Sequence, residues 1–314
     1  MNAPTNNTAP AARQMLDLRL LSMVCILVVM WLFFRWQVGE AYFSGEGIAK
    51  LSRDMATWTI LAAGMTLVIV AGYIDLSVGS LLALVAGCCA YMIDPETELG
   101  WSASAAVPLA ILVGLALGLW QGFLVAFFRI PAFIVTLAGL FVFRGLTQCV
   151  SAKDPRLPDA SWVNVLGFSY VPPAAGNALA AVVCVGLAAS VIYGAIRRRR
   201  LGLGAVRWPL VALKIGVPCA LILGFVHKVN AYKGIPAQTL VMAAVMVILG
   251  FVARRTLFGR RVFAVGGNPD AARLSGISVE RTTVLVFGIM GLLAGVAGVV
   301  WMAQNQGATQ KAGE

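Results

Sequence analysis

The chain has 314 residues, of which 60% are hydrophobic and 12% charged, and its formal net charge at pH 7 is +11. A soluble domain is close to half apolar and a quarter charged, so this composition excludes an ordinary soluble protein. In a membrane protein the inner loops hold an excess of Lys and Arg. The positive charge is therefore attributed to such loops, and nucleic acid is not expected as a partner.

Long apolar runs recur along the chain and predict an all-α fold, a polytopic transmembrane helical bundle. About nine spans are predicted, at residues 20–34, 55–71, 78–91, 105–127, 131–143, 178–196, 210–226, 237–252 and 283–302. The seventh is the weakest because it contains Lys214 and Pro218, and whether it crosses the membrane is left open. Residues 1–18 are expected to form a disordered cytoplasmic tail.

Basic residues near the span ends predict the orientation of the bundle. With the amino terminus inside, the two densest basic clusters, Arg197–Arg200 and Thr256–Arg281, both lie in the cytoplasm. The connection between the third and fourth spans holds acidic residues and no basic residue, which fits the outside. Residues 19–302 then form the transmembrane domain, 256–281 a cytoplasmic loop, and 303–314 a periplasmic end.

The loop at residues 256–281 contains a short helix with clear start and stop signals. Asn268 is a favourable N-cap, Pro269 suits the first helical position, and Asp270 favours the positive end of the helix dipole. Gly276 can close the helix in a left-handed conformation. These signals alone do not distinguish a helix that docks a partner from a structured connection between two spans.

Asp75 lies between the second and third spans, in the sequence AGYIDLSVGS. A carboxylate at membrane depth is expensive, so Asp75 is a candidate pathway residue. Alternatively, Asp75 or Ser77 caps the third span by accepting hydrogen bonds from its free N–H groups. Capping is favoured because it requires no partner.

Catalytic, metal and cofactor sites are not expected. The chain's single histidine, His227, has no neighbouring triad or metal-ligand pattern, and the six cysteines form no Cys-x-x-Cys pair. There is no G-x-x-x-x-G-K-[ST] phosphate loop, so the chain is not expected to bind ATP itself.

Three segments carry a family resemblance. They are AAGMTLVIVAGYIDLSVGSLLALVAG at 62–87, IPAFIVTLAGLFVFRGL at 130–146, and FGRRVFAVGGNPDAARLSGISVERTTVLVFGIMGLLAGVAGVV at 258–300. In this order they resemble the signatures of the sugar permeases of ATP-binding-cassette importers, the ribose, xylose and arabinose group. The segment 197–232, which ends close to YKGIPA, looks most like the xylose-type members.

The resemblance implies a permease in the bacterial inner membrane that forms the sugar pathway as a homodimer. A cytoplasmic ATPase would power it and a periplasmic sugar-binding protein would supply the sugar, so the chain itself is not an enzyme. A coupling helix would insert into the ATPase, with Ala271, Ala272 and Leu274 as its contact surface and Arg273 paired with an acidic partner group. The implied coupling residues are Asn268, Pro269, Asp270, Ala271, Ala272, Arg273, Leu274, Ser275 and Gly276.

Members of this group usually continue through further spans, so a chain ending at Glu314 is expected to be truncated at its C-terminus.

The main functional alternative is a stand-alone secondary transporter or channel for a small solute, although the spans offer few acidic residues for a coupling ion. A membrane-embedded enzyme is disfavoured because no catalytic groups cluster.

Overall fold

A computed structural model describes residues 9–158, 161–202 and 208–309, with side chains from residue 21 onward. Within these ranges the chain forms twelve α-helices, one 3₁₀ turn (Gly39–Phe43) and two short strands. The helices are α1 (Ala9–Val38), α2 (Gly45–Val70), α3 (Val78–Ile93), α4 (Ala103–Phe127), α5 (Ala132–Val150), α6 (Val163–Phe168), α7 (Pro173–Arg200), α8 (Trp208–Asn230), α9 (Ala237–Arg255), α10 (Leu257–Gly267), α11 (Pro269–Leu274) and α12 (Val279–Asn305). The strands β1 (Tyr170–Val171) and β2 (Ile235–Pro236) pair antiparallel.

The fold class predicted from the sequence is confirmed. Among the described residues, eight helices are long and apolar enough to cross a membrane, and α3 is a shorter apolar helix of 16 residues. Each predicted span corresponds to one helix. One large difference is at α2, which begins at Gly45 rather than near Met55, because its first turns are polar and are capped by Ser44.

The two ends of the chain depart from the sequence expectation in part. Helix α1 begins at Ala9, inside the segment expected to be a disordered tail, while residues 1–8 lie outside the described residues. Helix α12 continues to Asn305, three residues beyond the predicted span. Of the predicted periplasmic end, residues 310–314 also lie outside the described residues.

Helix α12 forms the centre of the described bundle and packs against α2, α3 and α4. Glycines bring α12 and α4 together: a Cβ added at Gly118 would overlap the carbonyl of Phe287, and one at Gly291 would overlap the carbonyl of Gly114. Small residues at four-residue spacing allow such backbone contact in lipid. The glycine pattern of the sequence therefore serves packing within one chain.

Helices α7 and α8 form an antiparallel pair beside this core. The Nδ2 atom of Asn230, at the end of α8, donates to Oδ1 of Asn177, near the start of α7, at 2.8 Å. At 1.5 Å per residue, the 23 residues of α8 span about 35 Å, against a hydrocarbon core of about 30 Å. The weak seventh span is therefore long enough to cross, despite Lys214 and Pro218.

The connections between the helices gather at two opposite ends of the bundle. At the first, the α11 end, the Tyr73 hydroxyl lies 2.8 Å from the Thr283 hydroxyl, and Thr136 donates to the Ile74 carbonyl at 3.3 Å. At the second, the β1 end, Gln304 donates to Asp54 at 2.6 Å.

Candidate functional site

The start of α11 has the hydrogen bonds that its sequence predicts. The Oδ1 atom of Asn268 accepts from the backbone N–H groups of Asp270 and Ala271, both at 3.0 Å. Pro269 occupies the first helical position, where its missing N–H costs nothing. The predicted N-cap is confirmed.

The end of α11 is closed by an equally regular arrangement. Gly276 has a φ of +78°, its N–H donates to the Arg273 carbonyl, and the Ile277 N–H donates to the Ala272 carbonyl at 3.0 Å. This pair of bonds is a Schellman motif, in which the left-handed residue is almost always glycine. Ser275 is the C-cap, and its N–H donates to the Ala271 carbonyl at 3.0 Å. A six-residue helix is thus held rigidly at both ends.

Ala272 faces the chain's own core rather than a partner. It is 4% exposed and packs in a small apolar cluster with Val265 of α10 and Val279 of α12, with Ile277 against it. This burial corrects the expectation that Ala272 is part of the contact surface. Its methyl group instead fixes α11 against the two helices that flank it.

Arg273 is also occupied within the chain. One guanidinium nitrogen lies 2.7 Å from the Glu280 carboxylate, and another lies 3.9 Å from that of Asp270. The pairing of Arg273 with an acidic group on a partner stays a prediction, and within the chain the side chain already has two acidic neighbours. Because all three side chains are substantially exposed, the pairs contribute at most about 1 kcal/mol to stability.

Leu274, the last residue of α11, is almost fully exposed. It is 91% exposed, and the first residues of the same rigid helix, Pro269 to Ala271, are exposed too. Exposed arginines flank the same end of the bundle, at Arg254, Arg255, Arg260 and Arg261. The result is an apolar tip on a basic surface, suited to an apolar groove bordered by acidic groups.

Asp75 and Ser77, the second candidate pair, form a buried polar network. The Oδ1 atom of Asp75 accepts from the Ser77 N–H at 2.8 Å and from the Ser77 hydroxyl at 2.7 Å. Gln121 of α4 donates to the same hydroxyl at 2.9 Å. Burial raises the pKa of the Asp75 carboxyl, and the hydrogen bonds from Ser77 act in the opposite direction.

The cap that the sequence suggested for α3 has an unusual form. Ser77 occupies the N-cap position, but among the described residues its side chain makes no hydrogen bond to the first turn of α3. Asp75 instead binds the N–H of Ser77, directly before the helix. The network therefore ties the α2–α3 connection to α4 through Gln121, a polar residue within an apolar span that could have been recognised from the sequence.

The two candidate segments meet at the α11 end. A Cβ added at Gly266, the penultimate residue of α10, would overlap the Val70 carbonyl, so the two backbones are in direct contact there. The hydrogen bond between Tyr73 and Thr283 joins the same connection to the first turns of α12. The two helices that flank α11 are therefore in contact with the connection that holds Asp75. No local pattern in the sequence predicts this contact, because it depends on how three helices meet.

Comparison with known proteins places these features in a family. Residues 47–313 match a family model described as a branched-chain amino acid transport system / permease component. The chain belongs to this permease family. The match covers both α11 and the connection at residues 71–77, and with the apolar helices it identifies a multi-pass membrane protein.

Several named relatives of the chain are sugar permeases. The chain is 35% identical over 298 residues to the xylose transport system permease protein XylH of Escherichia coli K12, covering 95% of this chain and 75% of the relative. It is 34% identical over 301 residues to XylH of Haemophilus influenzae, covering 95% and 79%. It is 30% identical over 272 residues to the ribose import permease protein RbsC of E. coli K12, covering 87% and 66%. No solved structure matches this chain. The family resemblance recognised from the three sequence segments is confirmed.

Proposed function

We propose that this chain is the membrane-spanning permease subunit of an ATP-driven importer for a monosaccharide of the xylose type. The observation that carries the proposal is the rigid, capped α11 with its exposed Leu274, in a chain that is similar to xylose and ribose permeases. In this proposal the α11 end is cytoplasmic, the β1 end is periplasmic, and the membrane is the inner membrane of a bacterium.

Each end of the bundle then has its own partner. A separate cytoplasmic ATPase receives α11, with Leu274 in an apolar groove and Ala271 and Pro269 beside it. A periplasmic sugar-binding protein delivers the sugar at the β1 end, and a second copy of the permease completes the pathway. Asn268 and Gly276 fix the shape of the helix, while Ala272 and Arg273 attach it to α10 and α12.

Backbone contacts supply a physical route from the ATPase to the pathway. A rigid helix transmits displacement with little loss, and α11 is fixed to α10 by the Ala272 cluster. Gly266 presses the end of α10 against the end of α2, and the Asp75 network joins that connection to α4. We propose that closure of the ATPase moves these helices together through this series of contacts.

Truncation of the projecting side chain tests the docking role of α11. We expect Leu274→Ala, in the full-length permease, to reduce retention of the ATPase by roughly tenfold or more, because anchors at the centre of an interface carry much of the binding energy. The variant should fold normally, since Leu274 is 91% exposed. The measurement is the ratio of ATPase to permease after affinity purification, together with sugar uptake in the same cells.

A matched control separates this contact from general effects at the same end of the bundle. Leu201, which follows α7, is 60% exposed and distant in sequence from α11, so Leu201→Ala should leave ATPase retention unchanged. Normal retention and uptake in Leu274→Ala would show that α11 merely connects two spans.

A further inference from the structure

A cleft opens at the β1 end, the end opposite to α11. It has a volume of about 340 Å³, within the range of roughly 300–1,000 Å³ typical of small-molecule sites. Four separate parts of the chain contribute to its lining: α2, β1, the turn after α8, and the end of α12. The lining consists of charged, amide and tyrosine side chains: Glu46, Lys50, Arg53, Asp54, Tyr170, Tyr232, Gln304 and Asn305.

Two charged groups of the cleft, Arg53 and Asp54, are held in place by their neighbours. Arg53 donates to the Tyr170 hydroxyl, and its guanidinium carbon lies 5.5 Å from the centre of that ring. Gln304 donates to one oxygen of the Asp54 carboxylate at 2.6 Å, which orients it. The Nε atom of Arg53 is buried and has no hydrogen-bond partner among the described residues.

The mixture of groups indicates the class of ligand. The positive charges of Lys50 and Arg53 disfavour binding of a simple cation. The negative charges of Asp54 and Glu46 disfavour binding of a simple anion. Ammonium, guanidinium and amide donors lie beside carboxylate and amide acceptors, and a sugar hydroxyl both donates and accepts. Tyr232 is 38% exposed and adds an aromatic ring to this polar lining.

We propose that this cleft is an external subsite that binds a neutral monosaccharide before it enters the pathway. The proposal rests on the proposed function for the periplasmic position of the β1 end. It adds a site on the permease itself, where the sugar makes direct contact after its release at the outer face.

Direct binding to the permease alone tests this subsite. The purified full chain in lipid nanodiscs, without ATPase or binding protein, is titrated with D-xylose, D-ribose and, as an anionic probe, succinate, and binding is followed by saturation-transfer NMR. We expect both sugars to bind and succinate not to bind. Lys50→Met should weaken sugar binding about tenfold, and Asn305→Ala about threefold, because each removes a polar contact. Both side chains are exposed, so the variants should fold.

The control is Glu96→Gln, which alters an exposed carboxylate in a separate cleft at the same end and should leave sugar binding unchanged. Three results would overturn the subsite. They are no sugar binding by the wild-type chain, sugar binding by Lys50→Met and Asn305→Ala as tight as that of the wild type, or tighter binding of succinate than of sugar. If the complete importer takes up xylose while the chain alone binds none, the subsite fails and the proposed function stands. If the chain binds sugar but no ATP-dependent uptake occurs, the proposed function fails instead.

Discussion

Ala272 and Leu274 lie two residues apart on α11 and have opposite surroundings. Ala272 is 4% exposed and packs on Val265 and Val279, whereas Leu274 is 91% exposed. The capping residues around them could be predicted from the sequence, since Asn268 and Gly276 act through hydrogen bonds and backbone angles within a few residues. The burial of Ala272 could not, because it depends on side chains contributed by α10 and α12.

A substitution at Ala272 should therefore damage the permease itself rather than its docking. Ala272→Arg places a long charged side chain in a closed apolar cluster, and we expect a loss of roughly 3 kcal/mol or more in local stability. The measurement is the thermal melting of the detergent-solubilised permease by size-exclusion chromatography, with no ATPase present. Ala271→Arg, an exposed neighbour, serves as the control and should melt like the wild type. Equal melting of all three proteins would show that Ala272 is not buried as described.

Among the elements, hydropathy located the apolar part of every span and the first residues of α3 and α9, but it missed the first turns of α2. Helix α2 starts at Gly45 because Ser44 caps it, and its polar first turns, which include Arg53 and Asp54, supply the cleft at the β1 end. Because these residues are polar, a search for apolar runs could not predict the start of the helix. The contact between Gly266 and Val70 could not be predicted either, since no local sequence pattern indicates where one connection meets another.

The hydrogen bonds between Asp75 and Ser77 in the α2–α3 connection provide a further prediction. Asp75→Asn should change stability and uptake little, because an amide oxygen can still accept both hydrogen bonds from Ser77. Asp75→Leu should cost about 1–3 kcal/mol, since it leaves the Ser77 N–H and hydroxyl without this acceptor in a buried place. Thermal melting and sugar uptake of the two variants provide the measurement. Loss of uptake in Asp75→Asn with normal melting would instead indicate that the charge of Asp75 acts in transport.

At the scale of the whole molecule, the described helices differ sharply in burial. Most of α12 is buried among α2, α3 and α4, while every described side chain of α1 is exposed. Within a bilayer, we expect lipid to surround α1 and the core around α12 to carry the motion that α11 initiates. A stand-alone transporter would need no rigid helix projecting from the bundle, whereas a permease that takes its energy from another chain does.

Reconstitution of transport tests this account most directly. The full-length permease is placed in proteoliposomes with its ATPase and ATP on the side of α11 and with the sugar-binding protein on the side of β1, and entry of labelled D-xylose is measured. We expect uptake to require ATP, the ATPase and the binding protein together, and to stop when any one is omitted. If the permease alone takes up xylose as fast as the complete system does, the result contradicts this account and favours a stand-alone transporter or channel.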